Sequence, residues 1–281
     1  MFYGNTKSIV KPAESVEKLY NNLCVECDNF NSMIESIGIL NESGVLLEVD
    51  MSKVKERLRS IWEGIKKFVA AIINKITNLI GKKSKEEIKK EVEEKFEESK
   101  EDENTSVKVL KPTDTYLNMI NSKYFSSVTK YNDSIMDVTD TLVAMAKGKE
   151  IDEGKISKEI EALKSCSADL EGLFEEFGGI KNSTSSNEKC FEEVEIDNKE
   201  EAVNIKDNCL KIANRNKKLI NIVSDSVRDM DFVTGGIFES DEKYNFEYTK
   251  NYSALVQNIR DLVTYLYNIS ASFCTAANYL K

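Results

Sequence analysis

Apolar residues recur along most of the chain at the three- and four-residue spacing of amphipathic helices. Val16, Leu19, Tyr20, Leu23, Cys27, Phe30 and Ile34 predict a first helix over 12–37, with Pro12 in its opening turn and Gly38 placed to end it. Ile39–Val49 reads as a short extended or hairpin-like segment around Asn41-Glu42-Ser43-Gly44. Asp50 or Ser52 then caps a second helix that Gly81 ends. Its stripe runs Val54, Leu58, Ile61, Trp62, Ile65, Phe68, Val69, Ile72, Ile73, Ile76, Leu79 and Ile80, with lysines over much of the other face. Ser84-Lys85-Glu86-Glu87 has the form of a capping box and opens a third helix over 85–100, with only Ile88, Val92 and Phe96 apolar. Asp102–Thr105 reads as a linker.

Four longer segments carry heptads. Leu117, Tyr124, Tyr131, Val138 and Met145 mark a helix over 115–147; Ile156, Leu163, Leu170 and Phe177 mark one over 153–177. Ala202, Cys209, Val223 and Met230 mark 199–230, and Tyr252, Ile259, Leu266, Phe273 and Leu280 mark 249–280. Gly148 with Gly154, Gly178-Gly179 and Gly235-Gly236 fall between them as breakers. Asn216 interrupts the third seam and reads as a polar residue tolerated at the edge of the bundle, the alternative being a buried polar residue that fixes register. Cys190–Ile196 alternates apolar and acidic residues and reads as a short strand, with Phe246–Tyr248 as the partner that would close a β-hairpin. The expected fold is therefore all-α, with amphipathic N-terminal helices (1–83), a charged helix and linker (84–111), and an antiparallel four-helix bundle (112–281) with one short hairpin.

Composition agrees. In 281 residues, 2 prolines and 12 glycines supply little turn material for an all-β fold. The absence of histidine excludes Ser-His-Asp and Cys-His catalysis, His-ligated metals and an imidazole switch. No phosphate-cradling glycine loop or nucleophile elbow occurs, and acid pairs such as Glu175-Glu176 and Glu192-Glu193 read as solvated faces. The reading is no enzyme, no metal, no cofactor and no small-molecule substrate. Six cysteines are dispersed; Cys24 and Cys27 form a C-x-x-C inside a helix, which reads as core packing. Met1–Val10 lacks the pattern of a signal peptide, and no apolar run reaches the length of a membrane span.

The net charge of −10 argues against specific nucleic-acid binding. That charge is unevenly spread: Lys53–Lys83 holds nine Lys/Arg against two acids, and Lys85–Glu103 holds five lysines against ten acids. The basic amphipathic helix 53–83 is the segment with functional content. Ile61, Trp62, Ile65, Phe68, Val69, Ile72 and Ile73, with Lys66 and Lys67, are the candidate partner- or membrane-docking residues, the stripe buried against helix 12–37 and the lysines facing the acidic segment.

The order of parts, an acidic apolar phrase (Ile37–Asp50), a Trp-bearing basic helix (Arg59–Lys83), a charged spacer and then long helices, resembles virion structural proteins of large tailed bacteriophages, particularly internal capsid proteins. The resemblance implies a non-enzymatic protein inside the head or at a vertex, assembled in the host cytoplasm, whose partners are other virion proteins or further copies of itself. Two other classes fit the same pattern. One is a membrane-active helical effector or pore-forming toxin using helix 53–83 on a membrane surface. The other is a cytoplasmic interaction protein such as a host-defence inhibitor.

Overall fold

A computed structural model describes residues 14–42, 51–81, 84–101, 106–147, 149, 151–239 and 246–281. In chain order the elements are α1 (Glu14–Glu42), α2 (Met51–Ile80), α3 (Lys85–Glu101), β1 (Val107–Pro112), α4 (Asp114–Met119), α5 (Phe125–Ala146), α6 (Glu153–Gly172), β2 (Phe191–Ile196), α7 (Lys199–Glu239) and α8 (Phe246–Asn278). The fold is mostly helical, as the periodicity predicts. Among the described residues the only sheet is the pair β1–β2.

Local signals explain most boundaries. Ser84 and Glu87 form the expected reciprocal cap: Glu87 N–H donates to Ser84 Oγ (3.2 Å) and Ser84 N–H to Glu87 Oε2 (2.6 Å). Gly81 follows α2 at φ 64°, and Gly178 and Gly179, at 81° and 93°, turn the chain after α6. Gly38 and Gly235-Gly236 do not end their helices; α1 runs on to Glu42 and α7 to Glu239. A helical glycine costs only about 1 kcal/mol, which a long hydrogen-bonded helix absorbs. The expected extended segment 39–49 is thus helical through Glu42; residues 43–50 lie outside the described residues, as do Pro12, Asp50, Gly148 and 102–105.

The strand at 190–196 forms, but its partner is not Phe246–Tyr248, which open α8. β2 pairs antiparallel with β1, from Val107 opposite Ile196 to Pro112 opposite Phe191. Val107–Pro112 lies in the stretch whose charges read as a spacer, yet its Val-Lys-Val alternation suits a half-buried strand. A third row is added by the chain's last residues: Lys108 and Lys281 exchange both backbone hydrogen bonds (2.8 and 3.0 Å), and Leu280 bridges Val109.

Helix α8 is the centre. It is in extended contact with α1, α2, α5, α6, α7 and β1, and Leu255, Ile259, Leu262, Leu266, Ile269 and Phe273 are fully buried. Cross-helix contacts set the directions. Asn31–Ser253 and Cys24–Arg260 run α1 antiparallel to α8; Tyr131–Asn258 and Tyr116–Phe273 do the same for α4–α5. The heptad rows of α5–α8 turn inward, with Tyr124, Tyr131, Leu163, Leu170, Cys209 and Val223 among the buried residues. Because α1 and α2 cover α8 as well, one continuous apolar core includes residues from both ends of the chain.

Two buried polar devices tie helices together. Asn216 is fully buried and accepts the Tyr124 hydroxyl proton at Oδ1 (3.1 Å), so the polar residue in the third heptad row lies inside the core and not at the edge expected of it. Lys206 is 1% exposed, its ammonium 3.5 Å from the Tyr279 carbonyl and 3.8 Å from Glu91 of α3.

Candidate functional site

The basic helix comes first. Ile61, Trp62, Ile65, Phe68, Val69 and Ile72 are all buried and Ile73 is half-buried. Their stripe faces α1, α7 and α8. Trp62 meets the Tyr252 ring of α8 at 5.9 Å and Phe68 meets Tyr20 of α1 at 6.2 Å. Gly64 lets α1 approach: a Cβ there would lie 3.2 Å from Leu23 Cδ1. Ten α2 side chains are buried, each worth roughly 1.5–3 kcal/mol on leaving water. Any use of this stripe on a membrane or another protein requires lifting α2 off three helices.

What α2 shows outward is a mixed ridge of Glu56, Ser60, Glu63, Lys67, Ala70 and Asn74, all exposed. Lys67 therefore stays on the surface, while Lys66 is partly covered and pairs with Glu63 at 2.6 Å. The acidic helix does not lie along these lysines. Glu97 and Glu91 of α3 pair with Lys199 and Lys206 of α7 instead. The apolar face of α3 (Ile88, Val92, Phe96) is fully covered, and apolar burial outweighs the fraction of a kcal/mol that an exposed ion pair adds.

A second cluster was missed by periodicity alone. On α8 the half-buried positions Gln257, Asp261, Thr264, Asn268 and Ala271 recur at helical spacing and mark the side between α1 and α6, which are not in extended contact with each other. Arg260 lies beside this row. Its guanidinium donates to Asp261 (2.8 and 2.9 Å) and to Cys24 Sγ (3.3 Å), and sits 5.4 Å from the Tyr20 ring centre. Burial raises the Asp261 carboxyl, an effect the adjacent guanidinium only partly offsets; burial opposes the Arg260 charge, but Asp261 outweighs it and holds the guanidinium more firmly protonated. Burial pushes Tyr20 and Cys27 up to about 12. Tyr265 donates to Glu171 of α6 on the neighbouring face. The one legible signal was an Arg-Asp pair in a stretch of α8, 251–278, that holds no other charged residue. The C-x-x-C contributes one buried thiol to the core and one sulfur to this cluster; all six cysteines are free. Among the described residues no group of His, Cys, Asp or Glu is arranged to hold a metal, and no helix is long and apolar enough to cross a membrane.

The third feature is the outer edge of the sheet. Because Lys108 spends its backbone groups on Lys281, it is Val107, Val109 and Lys111 that face β2, opposite Ile196, Val194 and Glu192. The N–H and C=O of Glu193 and Glu195 therefore point out of the other side of β2. The elements in extended contact with β2 are β1 and α7, and α7 simply continues the chain. On the solvent face Glu193 receives the Tyr279 hydroxyl and faces Lys108 (3.4 Å) and Lys281 (3.6 Å), while Ser106 donates to Glu195.

Comparison with protein-family models, with curated proteins and with solved structures finds no match to this chain.

Proposed function

We propose that this chain is a non-catalytic structural or assembly protein of a bacteriophage virion, internal to the head or at a vertex, acting through fixed helical surfaces. The observation that carries the reading is the inward orientation of the α2 stripe: the most amphipathic helix is used to bind α1 to α7 and α8, leaving charged helix faces and one sheet edge to meet neighbours. In this reading α5–α8 serve as a four-helix frame and α1–α3 as a cladding fixed to it. The order of acidic apolar phrase, Trp-bearing basic helix, charged spacer and long helices supports the virion context. Its partners are other virion proteins or further copies of itself, and it needs no cofactor. Mass spectrometry of gradient-purified particles, from the phage whose genome encodes the chain, tests the assignment. Stoichiometric recovery in the particle is expected; particles that lack the protein overturn it.

A further inference from the structure

We propose that the outer edge of β2 is a strand-addition site for an extended segment of a neighbouring protein bearing lysine or arginine at alternate positions. Backbone geometry supplies the first half of the argument. Glu193 and Glu195 each turn an N–H and a C=O away from β1, and among the described residues no backbone hydrogen bond takes them. Two outward donor–acceptor pairs, one residue apart, are what an added strand engages.

Charge supplies the second half. β2 reads Phe-Glu-Glu-Val-Glu-Ile, and Glu192, Glu193 and Glu195 are exposed. The inner edge shows which neighbour such a strand accepts: β1 places Lys108 opposite Glu195, with its ammonium 3.4 Å from the diagonal Glu193, and Lys111 in register with Glu192. The same glutamates repel a second β2, so pairing between copies through this edge is disfavoured while a basic strand is attracted. Residues opposite Glu193 and Glu195 share the solvent face, and the residue between them lies on the face of half-buried Val194. The preferred sequence is therefore basic–apolar–basic, with a β-branched residue in the middle. The assembly reading above supplies the setting, a neighbouring protein. The edge itself is tested on purified protein, so its failure and that of the virion assignment are read in different experiments.

The test uses the full chain and an acetylated, amidated hexapeptide of sequence TKVKVT, with TEVEVT as control. Amide exchange at Glu193 and Glu195 should be fast in the free protein. Millimolar TKVKVT should slow it about tenfold or more, the effect fading with added salt, and TEVEVT should leave it unchanged. Glu195→Pro removes an outward N–H but none that the β1 ladder uses, so helix content and the unfolding midpoint should hold while peptide affinity falls at least about tenfold. Should that variant misfold, Glu195→Lys, which keeps the backbone and reverses the charge, must weaken TKVKVT and strengthen TEVEVT. Protected Glu193 and Glu195 amides in the free protein, no slowing by TKVKVT, or equal slowing by both peptides would each overturn the proposal.

Discussion

Removing the hydroxyl of Tyr124 should destabilise the protein, and removing its acceptor as well should restore it. Tyr124 and Asn216 are both fully buried, and the single bond between them joins α5 to α7. In Tyr124→Phe the Asn216 carbonyl oxygen stays in the core without a proton, a loss of about 1–3 kcal/mol. In Asn216→Leu, close to isosteric, the tyrosine hydroxyl is left without its acceptor. The same change deletes an amide N–H2 that has no hydrogen-bond partner among the described residues, so the net effect should be smaller, within about 1 kcal/mol. The double variant Y124F/N216L leaves neither group unsatisfied and should be at least as stable as the wild type, giving a coupling of about 1–3 kcal/mol in the cycle. Urea unfolding followed by circular dichroism and by Trp62 fluorescence measures all four proteins, and coincident transitions license the comparison. If the two losses simply add, within about 0.5 kcal/mol, the buried bond is not what couples these helices. A companion expectation concerns register: the apolar pair no longer penalises a shifted α5, so the double variant should unfold with a lower m-value.

Trp62, the sole tryptophan and 1% exposed, should emit in the blue, resist quenching by iodide and ignore anionic vesicles; a red, quenchable emission that shifts on adding vesicles would mean that α2 leaves the core. Phe68→Ala should cost about 3–5 kcal/mol in urea unfolding, since it opens a cavity where α2 meets Tyr20 of α1. Half-buried Cys24, the one cysteine with part of its surface open to reagent, should be alkylated first. Buried Cys27, Cys209 and Cys274, whose thiols are pushed up to about 12, should react only in denaturant, as peptide mapping would show. The Tyr279 hydroxyl bond, helped by Lys108 and Lys281, holds the Glu193 carboxyl below the usual range. Its contribution is therefore complete above the ordinary carboxylate pKa and is lost as pH falls through the lowered value. Exchange at Lys281 N–H should thus show an acid step beyond its intrinsic pH dependence, and Glu193→Gln should remove that step.

The repeat of seven was the readable part of this chain. Ile156, Leu163, Leu170 and Phe177 are spaced so that one face must be apolar, and all four are buried. Periodicity reports that a face is covered, not by what. The α2 stripe was legible, whereas its position across α7 and α8 as well as α1 depends on residues more than a hundred positions away. The pairing of β1 with β2 was hidden for the same reason: Val107 and Ile196 carry no mark that links them, and the closer run Phe246–Tyr248 offered equal strand character. The Arg260 cluster escaped because a charged pair in a long helix looks the same whether it faces solvent or Cys24. Glycine punctuation was reliable where a left-handed backbone was needed, at Gly81 and Gly178, and silent at Gly38 and Gly235, where nothing in the helix required a stop.

The place of α8 has a consequence for how the chain is made. During synthesis every other described helix emerges before the one that α1, α2, α4, α5, α6 and α7 pack around. The α1–α2 hairpin and the α5–α6 pair consist of near neighbours and can form early, but the faces they will turn to α8 stay open to water until its last turns leave the ribosome. Val109 waits longest, for Leu280. Nascent chains that stop short of Phe246 should therefore expose a long apolar trough, bind holdase chaperones and aggregate, whereas emergence of α8 should trigger a single late collapse in which the hub arrives after its spokes.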